Sequence, residues 1–380
     1  MDCTKNSRFI LPINGNQPTL YRITFGNNQK IEEFSIQIFP DNFPKFKIEG
    51  QSALNKSIIF SQFSFNKNTT ITTPSHLFIL DPKGNILFYN SLPFLAFDFK
   101  PHLLKNKKYY SYLQAEQLSP KVTALGKRVI LDENFNTVKT IPGPLDIHDF
   151  ILIDLEWYIC LRYELAQNTT GTFFINQRIE EYKNGKQIFQ WDLNDLAKNN
   201  YFAINTTQHM FDKKLAIDQF HLNSIQLLPN NKMLISLGYD SGLVIDRKTK
   251  KIDWVIGGYN DQFGITEEMG TALHHTPFLD IEKQTLTAFD NSIIKKKSRV
   301  IEFTLDLKNK KIKKFDVIHD EGQFSAVMGS VEKHNNIYSI GFGSRDIGKF
   351  DFIEQTKDKR TMGISFSQKY SSTYRFYREL

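Results

Sequence analysis

Short runs of apolar residues, each ended by a polar turn, recur along most of the chain. Segments such as SIIFSQFSF, HLFILD, KMLISLGY, GLVIDR and NIYSIGFGS are rich in Ile, Leu, Phe, Val and Tyr, and they are bounded by Asn, Gly, Pro or Asp. This pattern is typical of β-strands, whereas apolar residues at helical spacing are scarce. The hydrophobic pattern therefore predicts an all-β protein.

One unit of this pattern is repeated: a strand ends in an acidic or polar turn, and a second strand rich in aromatic residues follows. The copies are LDPKGNILFY, LDENFNTVKTI, YKNGKQIFQW, IDRKTKKIDWVI, LDLKNKKIKKFDV and, more weakly, FSQKYSSTYRFY. The turns lie at Asp81, Asp132, Lys183, Asp246, Asp306 and about Lys369. A turn such as Asp-x-x-Gly-Asn favours a tight hairpin between antiparallel strands.

Six hairpins at similar intervals favour six blades of a β-propeller over a large β-sandwich or an irregular barrel. A four-stranded blade needs about 40–45 residues, so each repeat here carries additional loop, and loops are where a functional site is built. The segment before the repeats holds the strand-like FSIQIFP and PKFKIEG. We therefore predict a short N-terminal β extension, residues 1–55, and a six-bladed β-propeller, residues 56–380.

The composition fits a folded protein and excludes several other classes. Hydrophobic residues make up 40% and charged residues 23% of the 380 positions, which argues against disorder and against a coiled coil. Two cysteines cannot form a disulfide framework, and we expect Cys160 to be free and buried. No apolar run approaches the roughly 20 residues of a membrane helix, so no membrane span is expected.

The net charge of +7 comes largely from short lysine clusters. They lie at Lys105, Lys107 and Lys108, at Lys295–Lys297, and at Lys310, Lys311, Lys313 and Lys314. Because these clusters are far apart and no nucleic-acid-binding motif accompanies them, we expect solvated turns and no nucleic-acid partner. A mild positive field can still attract an anionic substrate.

Candidate chemistry comes from three of the nine histidines, although a histidine taken singly is more often structural. His148 in PLDIHDFIL, His221 in DQFHLNSI and His275 in HHTPF each open a strand-like stretch in a different repeat. The strand that begins a propeller blade faces the central channel, so the three can converge. Convergent imidazoles suit a metal site or a metal-free transfer with one histidine as nucleophile. No short metal-ligand motif is present, so we predict neither a metal nor a cofactor.

Several segments, taken in order, resemble the arylsulfotransferase (ASST) family. They are DQFHLNSIQLLPNNKMLIS, GLVIDRKTKKIDWVIGG, HHTPF, FDN and SRVIEF, and the resemblance covers roughly residues 56 to 350. It implies a six-bladed propeller that moves a sulfuryl group from an aryl sulfate to a phenol by a ping-pong mechanism through a sulfohistidine, without a cofactor. It also implies a periplasmic or secreted protein, although MDCTKNSRF does not read as a signal peptide and leaves the cytoplasm open.

The resemblance also implies roles for individual residues. His275 matches the histidine that becomes sulfated, and His221 and Asn223 match the pair that binds and polarises the sulfuryl group. His148 is implied to stabilise the transferring group or the leaving phenolate. Arg299, in the SRVIEF segment, and His274 are further candidate substrate-binding residues. Asp290 and Asn291 of the FDN element are of turn-forming types, and we expect them to be structural.

The chain departs from the family pattern at one position that bears on chemistry. The family has an arginine after the Ile-Ser strand, and this chain has Gly238. An arginine can clamp sulfuryl oxygens with two hydrogen bonds, which glycine cannot replace; Lys295–Lys297 are candidates to compensate. Three outcomes stay open: an active enzyme, an altered donor preference, or a non-catalytic propeller that binds an anionic ligand or a protein partner.

Overall fold

The computed structural model describes most of the chain as β-strands joined by short turns. The described residues are 19–27, 30–39, 43–65, 71–119, 123–194, 208–211, 213–238, 241–266, 268–269, 275–292, 295–345, 348–367 and 371–380. The first two strands, β1 (Thr19–Asn27) and β2 (Lys30–Ile38), pair with each other as an antiparallel hairpin. The strands after them form six sheets arranged as the blades of a propeller.

Blade 1 contains β4 (Ile58–Phe65), β5 (Ile71–Leu80), β6 (Ile86–Leu92) and β29 (Ser371–Arg378). Blade 2 contains β7 (Ala96–Leu104), β8 (Lys107–Ser119), β9 (Thr123–Leu131) and β10 (Thr137–Asp146). Blade 3 contains β11 (Phe150–Asp154), β12 (Trp157–Gln167), β13 (Phe173–Lys183) and β14 (Lys186–Asp192), and its sheet is extended by β15 (Gln208–Phe211) and β16 (Lys214–Ile217).

Blade 4 contains β17 (Leu222–Leu228), β18 (Lys232–Leu237), β19 (Ser241–Asp246) and β20 (Ile252–Ile256). Blade 5 contains β21 (His275–Asp280), β22 (Thr285–Asp290), β23 (Arg299–Asp306) and β24 (Lys311–His319). Blade 6 contains β25 (Ser330–His334), β26 (Ile337–Gly341), β27 (Phe352–Gln355), β28 (Arg360–Phe366) and β3 (Phe46–Gly50). The predicted six-bladed, all-β propeller is confirmed.

Two strands from the ends of the chain complete blades that were begun elsewhere. The last strand, β29, pairs with β4 and becomes the inner strand of blade 1. The early strand β3 pairs with β28 at the outer edge of blade 6. The ring is therefore closed by pairing between residues that are hundreds of positions apart, and residues 46–50 belong to a blade sheet. The division of the chain into two domains at residue 56 stays a prediction.

The predicted hairpins join the third and fourth strands of blades 1 to 5. In blade 1, for example, Asp81 Oδ1 accepts the backbone N–H groups of Lys83 and Asn85, which fixes the tight turn between β5 and β6. The predicted turn of the weak sixth copy, near Lys369, lies outside the described residues. The predicted hairpin is wrong, because β28 and β29 on either side of it belong to different blades. The equivalent hairpin of blade 6 joins β27 to β28 through residues 356–359.

Aromatic and aliphatic side chains fill the space between neighbouring blades. Phe60 stacks on Phe78 within blade 1, with ring centroids 5.0 Å apart, and Phe60 also meets Phe366 of blade 6. Trp191 and Trp254 are both buried in clusters between blades. Burial of this much apolar surface stabilises the blade-to-blade packing and fixes the positions of the inner strands.

Two further predictions concern the free cysteine and the absence of a membrane-spanning helix. Cys160 is free and buried, as expected, and burial raises the pKa of its thiol to about 12. In the described part of the chain, no helix is long and apolar enough to span a bilayer. The inner strands of the six blades meet around the axis of the propeller. They are β29, β7, β11, β17, β21 and β25.

Candidate active site

Two of the three candidate histidines lie in direct contact beside the axis. His148 stands just before β11 of blade 3, and His221 stands immediately before β17 of blade 4. Their ring centroids are 4.8 Å apart, and the ring planes are inclined by 80°. His148 also stacks on Tyr163 at 5.3 Å, and the Tyr163 hydroxyl donates to the Leu222 carbonyl. This packing fixes the orientation of the pair between two blades.

Each of these histidines is held by its own aspartate. The backbone N–H and the Nδ1–H of His148 both donate to Asp146 Oδ1, at 2.8 and 2.7 Å. His221 Nδ1–H donates to Asp218 Oδ2 at 2.6 Å, and its backbone N–H donates to Asp218 Oδ1 at 3.1 Å. Because Nδ1 of each ring is engaged by an aspartate, the opposite ring nitrogen, Nε2, is the one that can take part in a reaction. Sequence reasoning missed both aspartates, although D-x-H and D-x-x-H spacings are the local signal for such partners.

The two imidazoles have pKa values shifted in opposite directions. Burial lowers the pKa of His148, and the Asp146 carboxylate offsets this only in part. Burial also lowers that of His221, but the charge and hydrogen bond of Asp218, with a smaller contribution from Asp146, outweigh it, so the pKa of His221 is raised. Of the two rings, His221 is therefore the one that binds a proton more readily.

The third candidate, His275, is the first residue of β21, the inner strand of blade 5, which neighbours blade 4. Its Nδ1 lies 2.7 Å from the Oδ1 of Asn291. The Asn291 Nδ2 group donates to the carbonyls of Ser325 and Met328, at 2.8 and 2.9 Å, which fixes the amide with its oxygen toward the histidine. An amide oxygen only accepts, so Nδ1 of His275 carries the proton and Nε2 of the neutral ring carries the lone pair.

Asn291 was expected to be structural, and the structure gives it a chemical partner as well. The only sequence signal was its place in the FDN element, whereas the contact with His275 joins residues 16 positions apart. Its neighbour Asp290 accepts a hydrogen bond of 2.6 Å from Arg299 Nε. Asn291 therefore sets the tautomer of His275, and Asp290 anchors the turn beside it.

The other candidate residues are distributed unevenly. Asn223 lies on β17, two positions after His221, and is completely buried. Arg299 lies on β23, where it binds Asp290 and the Met269 carbonyl, and its role in substrate binding stays a prediction. Lys297 forms an exposed ion pair with Asp320. His274 lies outside the described residues.

Sequence reasoning missed Arg375 and Tyr374, which lie on β29. The Nη2 group of Arg375 donates to the backbone oxygen and to the Oδ1 of Asn223, at 3.0 and 3.1 Å. The guanidinium lies 4.8 Å from the Tyr374 ring centroid, and Tyr374 packs edge-on against His148. The only pattern in STYRFY was strand-like, so nothing local marked Arg375 as part of this site.

Gly238 packs directly beneath His221. Its backbone N–H donates to the His221 carbonyl at 2.7 Å, and a Cβ at this position would lie 2.6 Å from the His221 ring carbon Cδ2. A side chain of any size here displaces the imidazole. The His221 ring occupies the space that a side chain at position 238 would need. Glycine at this position, where the family has arginine, therefore fits the observed position of His221.

Buried ion pairs surround this cluster on the blade 2 side. Lys100 Nζ donates to Asp149 Oδ1 at 2.7 Å and lies 3.6 Å from Asp98, which also pairs with Arg128 at 2.6 Å. Asp149 Oδ2 accepts the backbone N–H of Ile225 at 2.9 Å, which ties blade 3 to blade 4. Buried charges of this kind are costly unless paired, so the network holds the inner strands in one arrangement.

The fold and this cluster define a class of protein: a six-bladed β-propeller with an imidazole pair, each ring held by an aspartate, beside its axis. Among the described residues, no group of three or more His, Cys, Asp or Glu side chains is arranged to hold a metal ion. The chain belongs to the arylsulfotransferase (ASST) family, whose family model matches residues 50–378. Membership of this family supports a sulfotransferase-like function on small molecules.

Comparisons with curated sequences and with solved structures add distant similarities to the fold. No curated protein sequence matches this chain. Solved structures similar to it include the Cps50 (Swd1) β-propeller domain of Myceliophteria thermophila, with 8% identity, a TM-score of 0.42, and coverage of 86% of this chain and 90% of that chain. The WD40 β-propeller domain of Doa1 has 7% identity and a TM-score of 0.39, covering 91% and 86%. BamB from Moraxella catarrhalis has 9% identity and a TM-score of 0.32, covering 80% and 82%.

Proposed function

We propose that this protein is an arylsulfate sulfotransferase that transfers a sulfuryl group from an aryl sulfate to a phenol through a sulfated His275. The observation that carries the proposal is the hydrogen bond between His275 Nδ1 and Asn291 Oδ1. It places the lone pair on Nε2, which is the form of imidazole that attacks an electrophilic sulfur. Family membership and the contact between His148 and His221 support the same reaction.

In the first half of the reaction, Nε2 of His275 forms a bond to sulfur while the bond between sulfur and the phenol oxygen breaks. His221, whose pKa is raised, gives its proton to the leaving oxygen. The product imidazolium on His275 keeps its Nδ1–H on Asn291. The positive ring and the negative sulfo group on it balance in charge.

In the second half, the acceptor phenol gives its proton to the now neutral His221, and its oxygen attacks sulfur. The sulfur–nitrogen bond breaks, and its electron pair returns to Nε2 of His275. His221 serves as acid in the first half and as base in the second. The aryl groups of the donor and of the acceptor can therefore bind at the same place in the site. This arrangement predicts ping-pong kinetics.

His148 has a supporting electrostatic role in this proposal. Burial, and to a smaller extent the neighbouring His221, lower its pKa, which favours a single positive charge on the pair. One positive charge matches the single negative charge of a sulfate monoester. Asn223, beside His221, contributes an amide to the same region and is proposed to bind the sulfuryl group.

An intact-mass spectrum after incubation with 4-nitrophenyl sulfate tests the proposal. We expect a covalent gain of one SO3 that maps to His275 and that added phenol discharges. His275→Ala removes the adduct and the release of nitrophenol, whereas His334→Gln, on β25 of blade 6, keeps both. An adduct that persists in His275→Ala would refute the assignment of the nucleophile.

A second candidate function is a propeller that binds an anionic ligand, such as a sulfate ester, without transferring it. Gly238 supports this candidate, because the His221 ring leaves no space for an arginine there. The two functions separate in one experiment. If the wild-type protein forms no adduct and releases no nitrophenol, yet binds inorganic sulfate, the binding function stands and the transferase is rejected.

The family resemblance also supports a proposal on partners and compartment. We infer that the partners are small aryl sulfates and phenols, and that the protein acts in the periplasm or outside the cell. Separation of cell fractions followed by detection of the full-length protein tests the compartment. Recovery in the cytoplasmic fraction alone would contradict export.

A further inference from the structure

Two buried N–H donors in this cluster have no acceptor within the described part of the chain. They are Nδ2 of Asn223 and Nε of Arg375, and the two side chains are 0% and 2% exposed. A buried donor without an acceptor costs free energy, so native proteins pair nearly all of them. Two such donors on neighbouring residues that are hydrogen-bonded to each other favour an acceptor in this part of the cluster, such as an oxygen of an anion.

The contact between the two residues fixes which part of the asparagine faces the site. Arginine has only donors, so the group of Asn223 that faces Nη2 of Arg375 is the carbonyl oxygen. The amide is planar, and its Nδ2 is therefore turned away from that nitrogen. The contact with Arg375 therefore fixes the direction in which Nδ2 of Asn223 donates, two residues along the chain from His221.

The positive charge of Arg375 is only partly neutralised. Its nearest carboxylate oxygen is Asp149 Oδ1, at 3.7 Å from Nη1. That carboxylate is already engaged at 2.7 Å by Lys100 and by the backbone N–H groups of Phe150 and Ile225. A buried guanidinium with a distant, shared counter-charge favours an additional anion.

The position of this arginine complements the departure at Gly238. Blade 4 has no room for a side chain at residue 238, because the His221 ring occupies that space. Arg375 lies on β29 of blade 1, which is opposite blade 4 in the ring of six blades. Its side chain reaches across to Asn223 of blade 4. The cation is thus supplied from the opposite blade.

We propose that Arg375 is a positioning residue for the sulfuryl group. It holds the Asn223 amide, which the proposed function assigns to that group, so that Nδ2 donates to the anion, and it adds positive charge beside it. The identity of the anion as a sulfuryl group rests on the proposed function, whereas the existence of an anion site rests on the two donors and the charge.

Transfer kinetics with 4-nitrophenyl sulfate give the first test. We expect Arg375→Gln and Asn223→Ala each to lower kcat and kcat/KM by about 100-fold or more, as for the loss of an oxyanion donor. The double variant is expected to be no slower than the worse single variant, since the residues act as a unit. Losses that multiply in the double variant would overturn the positioning role.

A conservative variant and a matched control separate this role from simple loss of structure. Arg375→Lys keeps a charge and is expected to recover part of the rate, and guanidinium ion added to Arg375→Ala is expected to raise its rate at least about tenfold. Arg378→Gln is the control, since Arg378 is equally buried on the same strand but pairs with Glu354. Equal losses in Arg375→Gln and Arg378→Gln would overturn the proposal.

Binding of inorganic sulfate, measured by titration calorimetry on the full-length protein, tests the site without any transfer. We expect sulfate to bind the wild type and the Arg378→Gln control, and to bind Arg375→Gln and Asn223→Ala at least about tenfold more weakly. Weaker binding in these variants supports the anion site even if no sulfate is transferred. No sulfate binding to the wild type, or equal binding in all variants, would overturn it.

Discussion

Arg375 and Asn223 meet across the axis of the propeller, with Nη2 of the arginine 3.0 Å from the backbone oxygen of the asparagine and 3.1 Å from its Oδ1. One residue lies on the strand that closes the ring, and the other on the inner strand of the opposite blade. Closure of the ring by β29 therefore also completes the charged cluster beside the histidines. Fold and site are coupled through a single strand.

Gly238→Ala is expected to lower the rate of transfer by about tenfold or more, because the added methyl group pushes the His221 ring off Asp218. The measurement is nitrophenol release at saturating donor. Gly322→Ala is the matched control, since no heavy atom lies within 4 Å of its Cβ position, although its φ of +71° costs about 1 kcal/mol of stability. A rate equal to that of the wild type in Gly238→Ala would show that His221 tolerates displacement.

Asn291→Leu is expected to slow formation of the His275 adduct by about 100-fold, because the neutral ring loses the acceptor that keeps the proton on Nδ1. The carbonyls of Ser325 and Met328 also lose their hydrogen bonds from the Asn291 amide, which lowers the free energy of unfolding by about 1–3 kcal/mol. Rapid mixing with mass detection gives the adduct rate.

The control for this change lies in the same loop. Ser298 donates to the carbonyls of Asn291 and Ser325, and its side chain has no hydrogen bond to His275 among those in the described residues. Ser298→Ala is expected to lower stability while leaving the adduct rate near that of the wild type. An adduct rate that falls equally in both variants would indicate that loop stability, and not the tautomer of His275, limits the reaction.

The Asp218 carboxylate predicts a specific change in pH dependence. His221 gives its proton to the leaving oxygen in the first half of the reaction, so the rate of that half falls as pH rises through its pKa, which is raised above the ordinary value of 6.5. Asp218→Asn removes the charge that raises this pKa but keeps an oxygen that accepts from Nδ1. We expect the alkaline limb of the rate profile to move to lower pH.

A profile of kcat against pH from about 5 to 9 measures this shift. Asp253→Asn serves as the control, because Asp253 is a surface carboxylate of the same blade that pairs with Lys232. It is expected to leave the limb in place. If both substitutions shift the limb equally, or neither does, His221 is not the titrating acid.

Stability toward acid is expected to depend on His76, which is buried in blade 1 with its Nδ1 3.0 Å from the Tyr89 hydroxyl. Burial lowers the pKa of His76 to about 4, below the value of 6.5 in the unfolded chain. The unfolded chain therefore takes up the proton first, and the stability present above pH 6.5 is lost as pH falls toward 4. The loss from this residue amounts to at most about 3 kcal/mol.

His76→Gln keeps a polar partner for Tyr89 but cannot titrate. Denaturant unfolding at several values between pH 7 and 4 is expected to show a smaller fall in the free energy of unfolding than in the wild type. An identical fall in the two proteins would mean that other buried groups account for the acid sensitivity.

Local patterns were sufficient where a few neighbouring residues fix the structure. The turn at Asp81 is held by the N–H groups of residues two and four positions later, so its hairpin was predictable. The weak copy at Lys369 was placed wrongly because strand, turn and strand look alike within a blade and between blades. Only the pairing of β29 with β4 distinguishes the two cases.

The candidate site also contains residues that a local sequence pattern marks and residues that only long-range contacts bring in. The three histidines could be selected from the sequence because each opens a strand in a different repeat. The aspartates of His148 and His221 were missed, although they lie within three positions of their partners. Arg375 was missed because its contact with Asn223 joins residues 152 positions apart. No local pattern marks such a contact, since it exists only once all six blades are assembled.

The sequence by itself determined the strands, most hairpins, the number of blades and the histidines at the start of inner strands, because alternation, turn chemistry and repetition act over a few residues. The tertiary structure decided which strands close the ring, that Arg299 serves the Asp290 turn, and that Arg375 reaches Asn223. It also decided the opposite pKa shifts of His148 and His221, because burial and the nearest charges depend on how the blades pack.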